Sequence, residues 1–172
     1  LILRPAVPGD AALLARWDEK PHVKWCTGLD PDQPLPDVER EDWAGQIARD
    51  VDWLDILIGE VEGRAIGVVQ IIDPHLEESH YWGDCAPHQR AIDIWIGEES
   101  DLGKGHGTKM MQQAIDRCFA DPAVTTILID PLIINTAAIR FYRRLGFVDV
   151  GERRFGEDDC LVMELPRAVW QF

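Results

Sequence analysis

Leu102-Gly103-Lys104-Gly105-His106-Gly107-Thr108 constrains this chain more than any other stretch. Glycines at alternate positions disfavour a helix interior, where each costs about 1 kcal/mol relative to alanine. They suit a loop whose amide groups converge on one ligand. Immediately upstream, Ala91 to Ile96 alternates with period two and reads as a strand. Downstream, Met110, Met111, Ala114, Ile115, Cys118 and Phe119 recur at helical spacing, so a helix starts near the last glycine. Strand, glycine loop and helix N-terminus, in that order, form an anion-binding arrangement, because orphan N–H groups and the positive end of the helix dipole meet there. The two familiar nucleotide loops do not fit. A P-loop needs GxxxxGK[ST], whereas Gly107-Thr108-Lys109 reverses the lysine and the hydroxyl. A Rossmann turn needs GxGxxG with an acidic residue downstream, and here the glycines run GxGxG with no acid in that place. A glycine turn without a ligand stays open as the plain alternative.

The rest of the chain reads as strands and helices around that unit. Leu1 to Arg4 is a first strand, and Asp10 caps a helix buried through Ala11, Leu13, Leu14 and Trp17. Pro21 to Pro36 reads as irregular, and Asp37 to Asp50 as a charged helix with Val38, Trp43 and Ile47 inside. Asp55 to Val61 and Ala65 to Ile72 form a hairpin around Glu62-Gly63-Arg64. Asp73 to Gln89 is a second long loop. Thr125 to Asp130 is a strand closed by Pro131, and Asn135 caps a helix burying Ala138, Phe141, Tyr142 and Leu145. Gly146 stands where that helix ends. Phe147 to Gly151 and Cys160 to Leu165 are the last strands, joined by a turn centred on Gly156. The order predicts one α/β domain over residues 1–172, a mixed sheet with helices on both faces.

Composition narrows the function. The sequence has 31 Asp and Glu against 17 Lys and Arg, a net charge of −14. Nucleic acid is a poor partner for such a surface, since binding it relies on neutralising phosphates. A cationic partner steered into an acidic cleft fits, and so does acidity that only serves solubility. No run reaches the roughly 18 apolar residues of a membrane span, and Leu1 to Pro5 does not resemble a signal peptide. Cys26, Cys85, Cys118 and Cys160 are widely spaced and read as reduced thiols of a cytoplasmic protein. His75, His80 and His88 with Asp84 and Cys85 match no zinc spacing, so no metal is expected.

The glycine stretch resembles the pyrophosphate loop of the GCN5-related N-acetyltransferases, Gln/Arg-x-x-Gly-x-Gly/Ala, with Leu102 in place of the leading Gln/Arg. Asn135 to Phe147 resembles that family's second coenzyme A motif, N-x-x-A-x-x-x-Y-x-x-x-G-F. Within the family, the likeness is to aminoglycoside 6′-N-acetyltransferases. It runs through Ala91-Ile92-Asp93, Leu102 to Lys109, Asp121-Pro122, Val124-Thr125, Asp130-Pro131 and Asn135 to Phe147. It returns at Val23, Trp25, Ile66-Gly67, Gln70 and Trp82. The resemblance implies a mostly antiparallel sheet and acetyl-CoA as co-substrate. It implies direct transfer to the 6′-amino group of an aminoglycoside by a monomer or homodimer. Alternatives are another amine (a polyamine, a protein N-terminus, a siderophore hydroxylamine) or a non-catalytic acyl-CoA or aminoglycoside sensor.

Transfer to an amine needs the neutral nucleophile, yet a primary amine is mostly protonated at pH 7. A carboxylate both binds the ammonium form and accepts its proton. Asp93 fits, since it stands mid-strand on the face opposite Ile92, Ile94 and Ile96. Asp130 ends the next strand and reads either as a second carboxylate of the cleft or as a turn residue before Pro131. Tyr142 resembles the family tyrosine that protonates the leaving thiolate, and packing is its other reading. The coenzyme side would comprise Leu102, Gly103, Lys104, Gly105, His106, Gly107 and Thr108. Asn135, Ala138 and Tyr142 join it, with a backbone N–H of Trp95 or Ile96 on the acetyl oxygen. Acceptor candidates are Trp25, Gln70, Glu77, Glu78, Trp82, Asp84, Asp93, Asp130, Glu157 and Asp158, from the loops and the last hairpin.

Overall fold

Residues that alternate apolar and polar form the seven strands of one sheet in the computed structural model, which describes residues 1–37 and 40–170. The strands are β1 (Ile2–Pro5), β2 (Leu54–Val61), β3 (Arg64–Ile72), β4 (Gln89–Ile96), β5 (Thr126–Ile129), β6 (Val148–Phe155) and β7 (Asp158–Pro166). Their spatial order is β1-β2-β3-β4-β5-β7-β6. All neighbours are antiparallel except β4 and β5. The helices are α1 (Ala11–Asp18), α2 (Pro21–Cys26), α3 (Trp43–Ala48), α4 (His106–Ala120) and α5 (Thr136–Arg144).

Both sheet faces are covered. On one, Met110, Met111, Ala114, Ile115, Cys118 and Phe119 of α4 and Ile139 and Tyr142 of α5 pack on Leu57, Val69, Ile92 and Ile127. On the other, Leu14, Trp17 and Trp43 from α1 and α3 pack on Ile56, Ile58 and Val68. At the usual ~25 cal/mol per Å² of apolar surface, each of these large side chains contributes about 1.5–3 kcal/mol. Gly97 is where the second layer touches the sheet. A Cβ there would fall 2.0 Å from the Trp17 ring, so no larger residue leaves space for that indole. Among the described residues, no helix is long and apolar enough to cross a membrane.

The expected elements hold with four differences. Pro21–Cys26 is helical, not irregular, because Pro21 sits at the first helical position, where its missing N–H costs nothing. The helix expected over 37–50 is only Trp43–Ala48, since Asp42 caps it by accepting from Gly45 N at 2.9 Å. Val38, expected inside that helix, lies outside the described residues. Asp10 precedes α1 but makes no side-chain cap. Its carboxylate instead takes both Arg4 guanidinium nitrogens at 2.7 and 2.9 Å and Val7 N at 2.8 Å, tying the chain entry to β1. Finally, β6 and β7 run to a two-residue turn, Gly156-Glu157, so Asp158 belongs to a strand. Asn135 caps α5 as its position predicts, accepting from Ala138 N at 3.0 Å.

Candidate active site

The site begins where two parallel strands part. β4 and β5 pair only at Gln89–Thr126, Arg90–Ile127 and Ala91–Leu128. Asp93 and Asp130 each lie two residues beyond the last pair, so period-two alternation puts both on the face shared by Ala91 and Leu128. Gln70 stands directly opposite Asp93 on β3. Past Ala91 the β5 side of β4 is open. Gly97 N donates to Ile66 O on β3 at 2.9 Å, so alternation turns the Ile94 and Ile96 backbone groups away from β3 and into the opening. His22 on α2 donates its Nε2 proton to Ile96 O at 2.9 Å. The Ile96 N–H faces the same opening, whereas the Trp95 amide falls on the β3 side. The Trp95 indole joins the α1/α3 layer, with its ring 6.0 Å from that of Trp43, and its buried Nε1 has no hydrogen-bond partner among the described residues.

Titratable groups converge on this opening. Asp93 is an exposed residue, although protein atoms crowd closely around its carboxyl. Burial, then the nearby charge of Glu41, push its carboxyl up to about 6. Asp130 is pushed up to about 7 by burial and by Asp93, against the pull of a hydrogen bond from Tyr81 and the charge of Arg153. Tyr142 is buried on α5, and burial, Asp93, Asp130 and Cys26 all raise its hydroxyl above the ordinary tyrosine range. It stays protonated at neutral pH, a proton donor facing two carboxyls. Cys26, at the end of α2, is exposed and accepts from Asn135 Nδ2 at 3.6 Å, while desolvation by its neighbours raises its thiol above the ordinary value. Among the described residues, no three His, Cys, Asp or Glu side chains are grouped to hold a metal ion.

The glycine loop lies at the head of α4. Gly103 and Gly105 take φ of +71° and +78°, conformations that disfavour any residue with a Cβ. Gly105 is the N-cap and offers no side-chain acceptor, so the first-turn amides of α4 are left for a ligand. Among the described residues, apart from the immediate chain neighbours, no atom lies within 4 Å of a Cβ built at either glycine, so the space over them is clear. Just before the loop, Asp101 is 2% exposed and anchors it. It receives Arg64 at 2.7 and 2.9 Å and Lys104 at 3.5 Å, and the Arg64 bonds hold its carboxyl down at about 2. Leu102, Lys104, His106, Gly107 and Thr108 keep partly or fully exposed positions around these amides.

The remaining sequence-selected residues divide. Asp158 reaches the α2 end, its Oδ1 lying where a Cβ on Gly28 would be. Trp25 is exposed on α2, Glu157 sits at the tip of the β6–β7 turn, and Asp84 is exposed in the 73–88 loop. Glu77 is occupied by its own loop. Burial opposes its ionisation, but bonds from Ser79 and from Tyr81 N hold its carboxyl below the usual range. Glu78 pairs with Arg49 at 2.8 Å. Trp82 is 7% exposed and packs on Phe155 and Leu128 instead of offering a face to a sugar. Two groups were not legible beforehand. Glu41 acts on Asp93 from the segment before α3, and Tyr81 donates to Asp130 Oδ2 at 2.7 Å. Glu41 reads from sequence only as one charged position of the 37–50 segment, and Tyr81 lies in no periodic stretch. The only signal for Tyr81 was an aromatic pair, of which the larger member faces inward.

Comparison with known proteins gives a consistent set of relatives. A family model described as an acetyltransferase (GNAT) domain matches residues 6–155. Over 171 residues the chain is 32% identical to the aminoglycoside N(6′)-acetyltransferases type 1 of Klebsiella pneumoniae and Serratia marcescens, covering 98% of this chain and 84% of each relative. It is 41% identical over 97 residues to a kanamycin resistance protein of Rhizobium radiobacter, 56% of this chain and 90% of that protein. The crystal structure of the aminoglycoside acetyltransferase AAC(6′)-Ib with coenzyme A and kanamycin superposes with a TM-score of 0.82. That match is at 27% identity and covers 97% of this chain and 95% of the other.

Proposed function

The chain belongs to the GNAT acetyltransferase family, and on that premise we propose that it transfers the acetyl group of acetyl-CoA to the 6′-amino group of an aminoglycoside. The observation that carries this reading is the pair Asp93 and Asp130, two residues past the last β4–β5 pair and on one face. Two carboxyls beside an opened strand edge suit an acceptor bearing several ammonium groups. The loop from Leu102 to Thr108, with its positive-φ glycines and uncapped helix start, suits the pyrophosphate of the coenzyme.

Each residue then has a task. Asp93, with its carboxyl near 6, is largely ionised at pH 7 and is basic enough to take a proton from the acceptor ammonium. The Ile96 N–H, turned into the opening, supplies a hydrogen bond to the acetyl oxygen as negative charge builds there. The freed amine attacks the acetyl carbon, the carbon–sulfur bond breaks, and the Tyr142 hydroxyl donates its proton to the departing thiolate, while the second proton lost by the attacking nitrogen passes through solvent and restores the Tyr142 hydroxyl. Asp130 binds a second ammonium, and Gln70 stands beside Asp93. No acyl-enzyme is needed, and the Cys26 thiol, raised above its ordinary value by desolvation, is a poor nucleophile at neutral pH.

The test is thiol release from acetyl-CoA with kanamycin, tobramycin, spermidine and a short peptide as acceptors. Release with the two aminoglycosides at micromolar concentration, and not with the others, supports the proposal. Release with spermidine or the peptide alone would transfer the same chemistry to a different acceptor class.

A further inference from the structure

Tyr81 is held more firmly than its place in a loop would suggest. The residue is 49% exposed, yet its ring stacks on Phe155 at 4.7 Å with planes 8° apart and meets Trp82 edge-on at 5.9 Å. Its backbone N–H donates to Glu77 Oε2 at 3.0 Å, and the preceding His80 takes a positive φ of 52°, which turns the loop sharply into place. The hydroxyl then donates to Asp130 Oδ2 at 2.7 Å. We propose that Tyr81 is a positioning residue for acceptor binding: by occupying Oδ2 of Asp130 it leaves Oδ1 as the oxygen offered to a substrate ammonium group. This rests on the reading of the cleft as an aminoglycoside site.

The same bond also bears on the charge of Asp130, after burial and Asp93. Every element around that carboxyl presents a charged or titratable group. Asp93 comes from β4, Tyr142 from α5, Arg153 from β6, Cys160 from β7 and Tyr81 from the loop. Burial and Asp93 favour the protonated acid, while the Tyr81 bond and Arg153 favour the carboxylate. Without the hydroxyl the acid keeps its proton to higher pH. Ammonium binding is then weakened around neutrality and recovers as the pH rises. A loop merely displaced from the site would weaken binding equally at every pH.

Tyr81→Phe retains the ring stack and removes only the donor. The first measurement is the ¹³C shift of the Asp130 carboxyl against pH in acceptor-free protein, with the signal assigned by Asp130→Asn. Its midpoint is expected to rise in Tyr81→Phe, and an unchanged or lower midpoint overturns the proposal. The second is steady-state kinetics with kanamycin between about pH 6.5 and 8.5. KM at pH 7 is expected to rise about fivefold, the loss of one hydrogen bond, with kcat little changed and the KM ratio narrowing toward one at the alkaline end. A ratio independent of pH, or a loss confined to kcat, overturns it. A wild-type protein that ignores kanamycin while the midpoint still shifts would overturn the aminoglycoside reading alone, the shifted midpoint still supporting the hold of Tyr81 on Asp130.

Discussion

At Asp93, the surroundings that make a carboxylate a useful base also make it costly to ionise. A carboxyl near 6 is the base form above that pH and the acid below it. Turnover should therefore rise with pH through about 6 and be lost beneath it, read as kcat/KM against pH. Asp93→Asn should lower kcat by roughly 10²–10⁴-fold, the usual worth of a positioned base, and leave coenzyme A affinity nearly intact by calorimetry. Full activity in that variant would remove Asp93 from the chemistry. Tyr142→Phe should cost less, about tenfold, because water can also protonate a thiolate. Asp93 and Tyr142, the residues proposed for proton transfer, stand out in the sequence because each lies in a regular element beside a recognisable motif. Tyr81 does not, since its role comes from a hydrogen bond across 49 residues that no local pattern encodes. Trp82, the more conspicuous aromatic, proved to be core.

The strand–loop–helix unit from β4 to α4 is the element on which everything else depends, and it was legible almost whole. Alternation marks β4, glycine spacing marks the loop, and the buried stripe of α4 matches the expected residues. Less legible were the short elements that pack over the opening. α2 and α3 have six residues each, too few for periodicity to separate them from coil, so their ends are set by Pro21 and Asp42 instead. The partial pairing of β4 with β5 was also hidden, because apolar runs do not report where a ladder stops. Gly105→Val tests the loop directly. Its φ of +78° strains any β-branched residue, and two methyl groups would enter the space above the first-turn amides. Coenzyme A affinity should fall by at least about 100-fold, roughly the loss of two or three hydrogen bonds, while the far-ultraviolet spectrum stays native. Unchanged affinity would place the coenzyme elsewhere.

Across the whole molecule, ionisation pulls stability in two directions. Asp101 is held near 2 and Asp10 is also lowered, so each favours the folded state at pH above the usual carboxylate value near 4. That contribution is lost as the pH falls through the folded values. Asp130 is raised to about 7 and Asp93 to about 6, so the folded state holds their protons more tightly than the unfolded chain. Stability therefore declines as pH rises from about 4 to about 7. Asp130→Asn, which removes one of these charges, should raise Tm at pH 7 by roughly 2–4 °C, about 1 kcal/mol for a chain of this size, while weakening acceptor binding. A lower Tm would mean that the ionised carboxyl stabilises the fold. The net charge of −14 adds long-range attraction for a polycation, screened by salt. The central claim, direct acetyl transfer to a 6′-amine, is tested best by comparing thiol release with neomycin and with paromomycin. These differ only in carrying an amino or a hydroxyl group at the 6′ carbon. Release with neomycin and none with paromomycin is the predicted result. Equal release with both would contradict it, since the acetyl group would then be going to an amine shared by the two.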